Sequence, residues 1–150
     1  MERLPSDPGR DVWIDVQSAR PFAFRSPFGG ADFVLLLVDG VGVADGEQHA
    51  LSAEILRQGC RYAVCTGRGC DIWHVSIDVA YLEANADFRL WDDRFAMTSW
   101  HVEWDAPDIA DFFLRLTSFG DFTAERFLVL LLGATPEVER ETRAELARRL

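Results

Sequence analysis

The chain alternates between strand-like runs of apolar residues and segments whose apolar residues have helical spacing. The strand-like runs lie near residues 33–38, 62–66, 95–100 and 127–132. Two of them, FVLLLV and FLVLLL, are continuously apolar, which is typical of strands buried on both faces. Between the runs, segments such as HALSAEILRQG and DIADFFLRL space their apolar residues as amphipathic helices do. The pattern therefore predicts strands that alternate with helices.

Signals at the ends of these helices support the same interpretation. Gly59 is placed to end the first helix. Asp105 followed by Pro107 predicts the start of the third helix, and Thr135 followed by Pro136 predicts the start of the last. Strands joined by helical crossovers pair in parallel, so we expect the four predicted strands to form a parallel sheet.

We therefore expect an α/β fold. The closest architecture is a small three-layer sandwich, Rossmann-like or flavodoxin-like, with helices on both faces of a mainly parallel sheet of about four to five strands. Residues 1–30 contain four of the six prolines and are expected to form an N-terminal arm with possible edge strands. Residues 31–150 are expected to form a single α/β domain.

The chain is strongly acidic. It has 150 residues, a formal net charge of −10, and 15 basic residues that are all arginine. This balance disfavours nucleic acid as a partner and favours a basic protein surface, and the lack of lysine excludes Schiff-base chemistry. The longest apolar runs are too short to cross a membrane, and the charged N-terminus MERLPSDPGR lacks the apolar stretch of a signal peptide. We expect a cytoplasmic protein.

The carboxyl ends of the predicted strands are the first candidate site. Ligands of open α/β sheets bind at this edge, where the strand order reverses. The second helix begins at the same edge, so its first turns can contribute side chains. The residues expected to bind a ligand or partner there are Asp39, Thr66, His74, Thr98, Trp100 and His101.

The same edge offers a candidate catalytic pair. Cys70 begins the second helix, where the helix dipole favours a thiolate, and is the candidate nucleophile. His101 follows the third predicted strand and is the candidate general base, with Asp78 or Glu103 in a supporting role. If both belong to one site, their side chains must lie within reach of each other.

A competing interpretation needs no site. On a helical wheel Cys70, Asp71, His74, Asp78 and Tyr81 fall on one arc, as the polar face of an amphipathic helix would. The opposite arc consists of Ile72, Val75, Val79 and Leu82.

Several other kinds of site have little support. The loop DGVGVADGE has glycines between a strand and a helix, but its acidic residues would repel a dinucleotide pyrophosphate. The cysteine spacing C-x4-C-x4-C matches no zinc ribbon, and the Ser/His/Asp hydrolase motif G-x-S-x-G is missing from the sequence. We expect no bound metal and no cofactor.

The stretch GCRYAVCTGRGCDIWHVSIDVAYLE, followed by DDRFAMTSWHVEW, resembles an uncharacterised bacterial family known as a domain of unknown function. The shared pattern is Gly-Cys-x-Tyr, then Cys-x-x-Trp, then Asp-Asp-Arg-Phe-x-Met-Thr-Thr-Trp-His, and it covers residues 59–104. His74 stands where the family has an acid, and Ser99 where it has a threonine. The resemblance implies no activity. The positions to which it gives weight are Cys70, Asp78 and His101.

Two functions remain open. The first is a non-catalytic acidic module that docks a basic partner protein or a small ligand at the carboxyl ends of the strands, in the manner of an inhibitor or immunity protein. The alternative is a small cysteine/histidine hydrolase or transferase that uses Cys70 and His101. We favour the binding module because no complete catalytic constellation can be identified in the sequence.

Overall fold

The computed structural model describes residues 1–85 and 94–150. Trp91 and the family-pattern residues Asp92 and Asp93 lie outside the described residues. In chain order the elements are β1 (Glu2–Leu4), β2 (Asp11–Gln17), β3 (Phe33–Asp39), α1 (Asp45–Arg57), β4 (Cys60–Gly67), α2 (Cys70–Ala84), β5 (Met97–His101), α3 (Ala106–Arg115), β6 (Arg126–Leu132) and α4 (Pro136–Arg149).

Within the described residues, the strands form one six-stranded sheet in the order β1-β2-β6-β3-β4-β5. β3, β4, β5 and β6 pair in parallel, which confirms the pairing expected from the sequence. The sheet has more strands than expected because the N-terminal residues supply two. β2 pairs in parallel with β6, and β1 pairs antiparallel with β2. The strand order reverses between β3 and β6.

Hydrophobic cores cover both faces of the sheet. In β3, Phe33, Leu35 and Leu37 point into the core that α1 and α2 cover. The alternate residues of β3 point into the core that α3 and α4 cover. This two-sided burial explains why β3 is apolar along its whole length.

The helix-start signals are confirmed. The Asp105 carboxylate accepts the Asp108 N–H at 3.1 Å at the start of α3. The Thr135 hydroxyl accepts the Val138 N–H at 3.2 Å at the start of α4. Both helices have proline in the first turn, where the missing N–H has no helical partner to lose.

The face of α2 that is buried differs from the one expected from the helical wheel. Its buried residues are Cys70, Trp73, Ile77, Ala80 and Tyr81. The apolar arc that was expected to lie opposite an exposed polar face is itself exposed. Burial of the large Trp73 ring and of Ile77 turns this apolar arc toward solvent. We call this set the α2 stripe: Ile72, Val75, Val79 and Leu82, which are 49%, 48%, 39% and 51% exposed.

The loops at the carboxyl edge of the sheet are packed backbone against backbone. A Cβ atom added at Gly40 would overlap the carbonyl group of Gly133, and one added at Gly67 would overlap the backbone of Asp39. The Gly40 N–H also donates to the Leu132 carbonyl oxygen at 2.8 Å, across the point where the strand order reverses. The carboxyl ends of β3 and β6, where the strand order reverses, are therefore closed by the protein's own backbone.

This packing predicts that Gly67→Ala greatly reduces the stability of the fold. Gly67 has φ = +87°, a conformation that L-residues rarely adopt, and its added methyl group would overlap backbone atoms that cannot move aside. We expect the free energy of unfolding to fall by about 2 kcal/mol or more, measured by urea denaturation. Gly9→Ala, where a Cβ meets nothing within 4 Å, is the control and should change stability little. Equal effects of the two substitutions would contradict the packing argument.

Candidate functional site

Asp39, a predicted ligand-binding residue, is buried and hydrogen-bonded to the loop that follows β3. It is 1% exposed, and its carboxylate accepts the N–H groups of Val41, Gly42 and Val43 at 2.9, 2.7 and 2.8 Å. The indole N–H of Trp73 donates to the same carboxylate at 2.9 Å. Four donors therefore satisfy a buried charge and join the end of β3 to the following loop and to α2.

Thr66 and Cys70 are also directed inward. The Thr66 hydroxyl donates to the backbone carbonyl oxygen of His101 at 2.9 Å, and the Cys70 sulfur lies 3.6 Å from the same oxygen. Both side chains are buried. They attach the end of β5 to β4 and α2, and they do not line an open cleft.

The described contacts do not bring Cys70 and His101 together as a catalytic pair. The thiol meets the His101 backbone, whereas the His101 ring packs edge-on against Phe112 of α3, with 4.8 Å between ring centroids. Because α2 and α3 cover opposite faces of the sheet, the thiol and the imidazole lie on opposite sides of β5. Glu103, expected to support the pair, is exposed beyond the end of β5.

Burial shifts the pKa of both groups, and for the Cys70 thiol the shift opposes the chemistry proposed for it. It raises the pKa of the Cys70 thiol, which disfavours the nucleophilic thiolate at neutral pH. It lowers the pKa of His101, which favours the neutral imidazole. The Cys60 pKa is raised to about 12 by burial, and the Cys65 pKa is also raised. The thiols therefore behave as small apolar core residues.

Three predicted ligand residues do meet, on the side of β5 that faces α2. The rings of His74 and Trp100 stack with centroids 4.1 Å apart and 16° between their planes. The Thr98 hydroxyl donates to Asp78 at 2.9 Å and lies 3.4 Å from His74 Nδ1. His74 Nδ1 is also 3.5 Å from the second oxygen of Asp78. We call this set of four side chains the β5 cluster.

The α2 stripe is the feature that the sequence analysis missed. Its members follow one another at i, i+3, i+7 and i+10, so they form one line along the helix. A signal was available in the sequence, because α2 has a second apolar set in Trp73, Ile77 and Ala80. Only one of two apolar arcs can face the sheet, and the other is left in solvent.

A cavity of about 410 Å³ lies at the opposite end of the sheet, between α1 and α2. Small side chains, including Ala53, Ala80 and Ala84, leave this space open. Two of its arginines are engaged by acids, since Arg57 donates to Glu54 and Arg61 donates to Asp32. The cavity is thus mainly an apolar hollow with ion pairs at its rim.

In residues 1–85 and 94–150, no group of three or more His, Cys, Asp or Glu side chains is arranged to hold a metal ion. No helix in the same ranges has the length and apolar character needed to cross a membrane.

These features define a mostly parallel α/β protein whose accessible candidate surface is made by α2 and β5. The model of a family described as a domain of unknown function, DUF7684, matches residues 13–149, and the chain belongs to this family. The match confirms the resemblance to an uncharacterised domain-of-unknown-function family that was drawn from the sequence. A comparison with curated proteins gives no match.

The Asp39 contacts predict a large loss of stability in Asp39→Ala. Removing the carboxylate leaves four donors without their acceptor, and we expect unfolding free energy to fall by about 3 kcal/mol or more. Urea denaturation measures this change. The exposed Asp121→Ala provides the control, and a similar small effect for both would show that Asp39 does not hold the loop.

The raised cysteine pKa values predict slow alkylation. At about pH 7.5, iodoacetamide should modify native Cys70 at least about tenfold more slowly than free cysteine, followed by mass spectrometry. The urea-unfolded chain, in which Cys60, Cys65 and Cys70 are all accessible, is the control and should react at each of them. A native Cys70 that reacts faster than free cysteine would revive the nucleophile hypothesis.

Proposed function

We propose that this protein is a non-catalytic acidic binding module that docks a basic amphipathic helix of a partner protein along α2. The observation that supports this most is the α2 stripe. Aliphatic side chains that are 39–51% exposed at consecutive turns of one helix keep apolar surface in water without a benefit to folding. A partner that covers them recovers the hydrophobic free energy.

The chemistry of the stripe suits binding. Ile72, Val75 and Val79 are β-branched, so they hold few rotamers and lose little entropy when a partner immobilises them. Together with the half-exposed Trp100 nearby, they present a few hundred Å² of apolar surface, the size at which exposed patches mark interaction sites.

The charge around the stripe favours a basic partner. Asp71 and Asp78 follow the β5 side of the stripe, and Glu83 lies on the α1 side, where its carboxylate is 3.3 Å from His49 Nε2. A second copy of this chain would bring the same acids into contact and add to a net charge of −10 on each molecule. Lysine or arginine beside an apolar partner face would complement them.

The shape of the stripe favours a helix as the docking element. From Ile72 to Leu82 it follows one straight helix face over about 15 Å, which matches roughly three turns of a partner helix. Side chains on one helix then fit between those of the other. The partner helix would carry apolar anchor residues spaced three and four residues apart.

This surface replaces the carboxyl edge as our candidate for docking. Asp39 and Thr66 are buried there with their polar groups engaged, and the buried Cys70 gives the enzyme alternative no support. The sheet order, with helices over both faces, supports our assignment to the small Rossmann-like or flavodoxin-like three-layer sandwiches. In such a sandwich, an outer helix face is free to act as a binding surface.

A designed peptide tests the proposal. A helical peptide of about eighteen residues, with leucines at i, i+3, i+7 and i+10 and arginines on both sides, should bind the wild-type protein in calorimetry. The double variant Val75→Ser/Val79→Ser should bind at least about tenfold more weakly, because two half-exposed aliphatic groups are lost from the interface.

Two controls separate apolar docking from general electrostatic attraction. Val102→Ser removes a 75% exposed valine outside α2 and should leave affinity unchanged. A peptide with glutamates in place of the arginines should not bind. Equal binding of the arginine peptide by wild type and the double variant would contradict the proposal. So would self-association of the wild type that the double variant lacks, since the stripe would then bind a second copy.

A further inference from the structure

The β5 cluster lies beside the α2 stripe, and its four side chains are not members of the two hydrophobic core clusters. Trp100 lies on β5, which is an edge strand of the sheet, and its side chain is 48% exposed. One face of its indole lies flat on His74, which directly precedes the stripe residue Val75. Because Trp100 is 48% exposed, much of the opposite face of its indole is open to solvent.

The ring on which this tryptophan stacks is itself held in place, which restricts the tryptophan side chain. The His74 ring beneath it is only 19% exposed and lies within 3.5 Å of both Asp78 and Thr98. Thr98 in turn donates to Asp78 at 2.9 Å. A large flat side chain fixed in this way gives up little conformational freedom when a partner contacts it, which is how strong binding anchors are built.

The chemistry around the indole selects a cation. The face of a tryptophan ring attracts positive charge, more strongly than the other aromatic rings. The Asp78 side chain, 47% exposed, places a carboxylate in the same cluster. A guanidinium group suits this pair better than an ammonium group, because its plane stacks on the ring while its edge donates to a carboxylate.

We propose that an arginine of the docked helix lies over the outer face of Trp100 and pairs with Asp78. This inference rests on the docking function proposed above and names the residue that the site selects. The α2 stripe supplies apolar contact with little sequence preference. Trp100 then fixes the register of the partner, since only a helix with an arginine at the right distance from its apolar face engages both.

Single substitutions in the arginine peptide test this selection. Each arginine is replaced in turn by citrulline, which keeps the shape and removes the charge, and by lysine. We expect one arginine to stand out, with citrulline weakening binding by about fivefold and lysine giving an intermediate loss. In Trp100→Leu, the citrulline replacement at that position should have little further effect, a coupling of about threefold or more.

The acids provide a matched pair of variants. Asp78→Asn should reduce the extra affinity that the selected arginine provides. Asp71→Asn should instead reduce the contribution of every arginine of the peptide to affinity by a similar factor. Nuclear magnetic resonance adds a direct readout, because the Trp100 indole signal should shift with the arginine peptide and much less with its citrulline form. If Trp100→Leu loses its native circular dichroism, Trp100→Phe replaces it, with a partial loss of coupling expected.

The outcomes distinguish this inference from the docking function. If all arginines contribute equally, without coupling to Trp100, while Val75→Ser/Val79→Ser still weakens binding, the arginine anchor is overturned and the docking surface stands. If the wild type does not bind the arginine peptide, both proposals are overturned. If lysine binds as well as arginine at the selected position, the stacking argument is wrong.

Discussion

The buried carboxylate of Asp39 is the interaction on which the rest of the structure depends. A charge taken out of water is stable only if it is fully hydrogen-bonded, and here the loop after β3 and the indole of Trp73 supply all four donors. The Trp73 bond fixes the rotation of α2 about its own axis. That rotation in turn decides which apolar arc of α2 meets the core and which one meets solvent.

The carboxyl edge of the sheet and the outer side of α2 differ as a consequence of this constraint. At the carboxyl edge, polar groups are used to hold chain segments together, so Thr66 and Cys70 converge on one backbone carbonyl of His101. On the outer side of α2, the apolar surface exceeds what the core accepts. The edge is closed by packed backbone, whereas the helix face exposes apolar side chains, and this contrast is the basis of the binding function that we propose.

Particular residues explain how far the sequence could predict this molecule. β3 and β6 were predictable because burial on both faces forces continuous apolar runs, and the α3 and α4 starts because Asp105 and Thr135 have local backbone partners. β1 and β2 have weaker local signals. The exposed face of α2 was not predictable from periodicity, since the helix has two apolar arcs and a long-range bond from Trp73 to Asp39 chooses between them. Likewise, the sequence alone does not show whether an aspartate at the end of a strand binds a ligand or the backbone of a neighbouring loop.

The closed carboxyl edge also limits how this fold can change. New activities in α/β proteins commonly arise when residues at that edge are exchanged, but here the backbone packed against Gly40 and Gly67 leaves no room for even one added carbon atom. Side chains therefore cannot be added at these two positions of the edge without moving the backbone. On the outer surfaces of the helices, by contrast, side chains can be exchanged without disturbing the backbone beneath them.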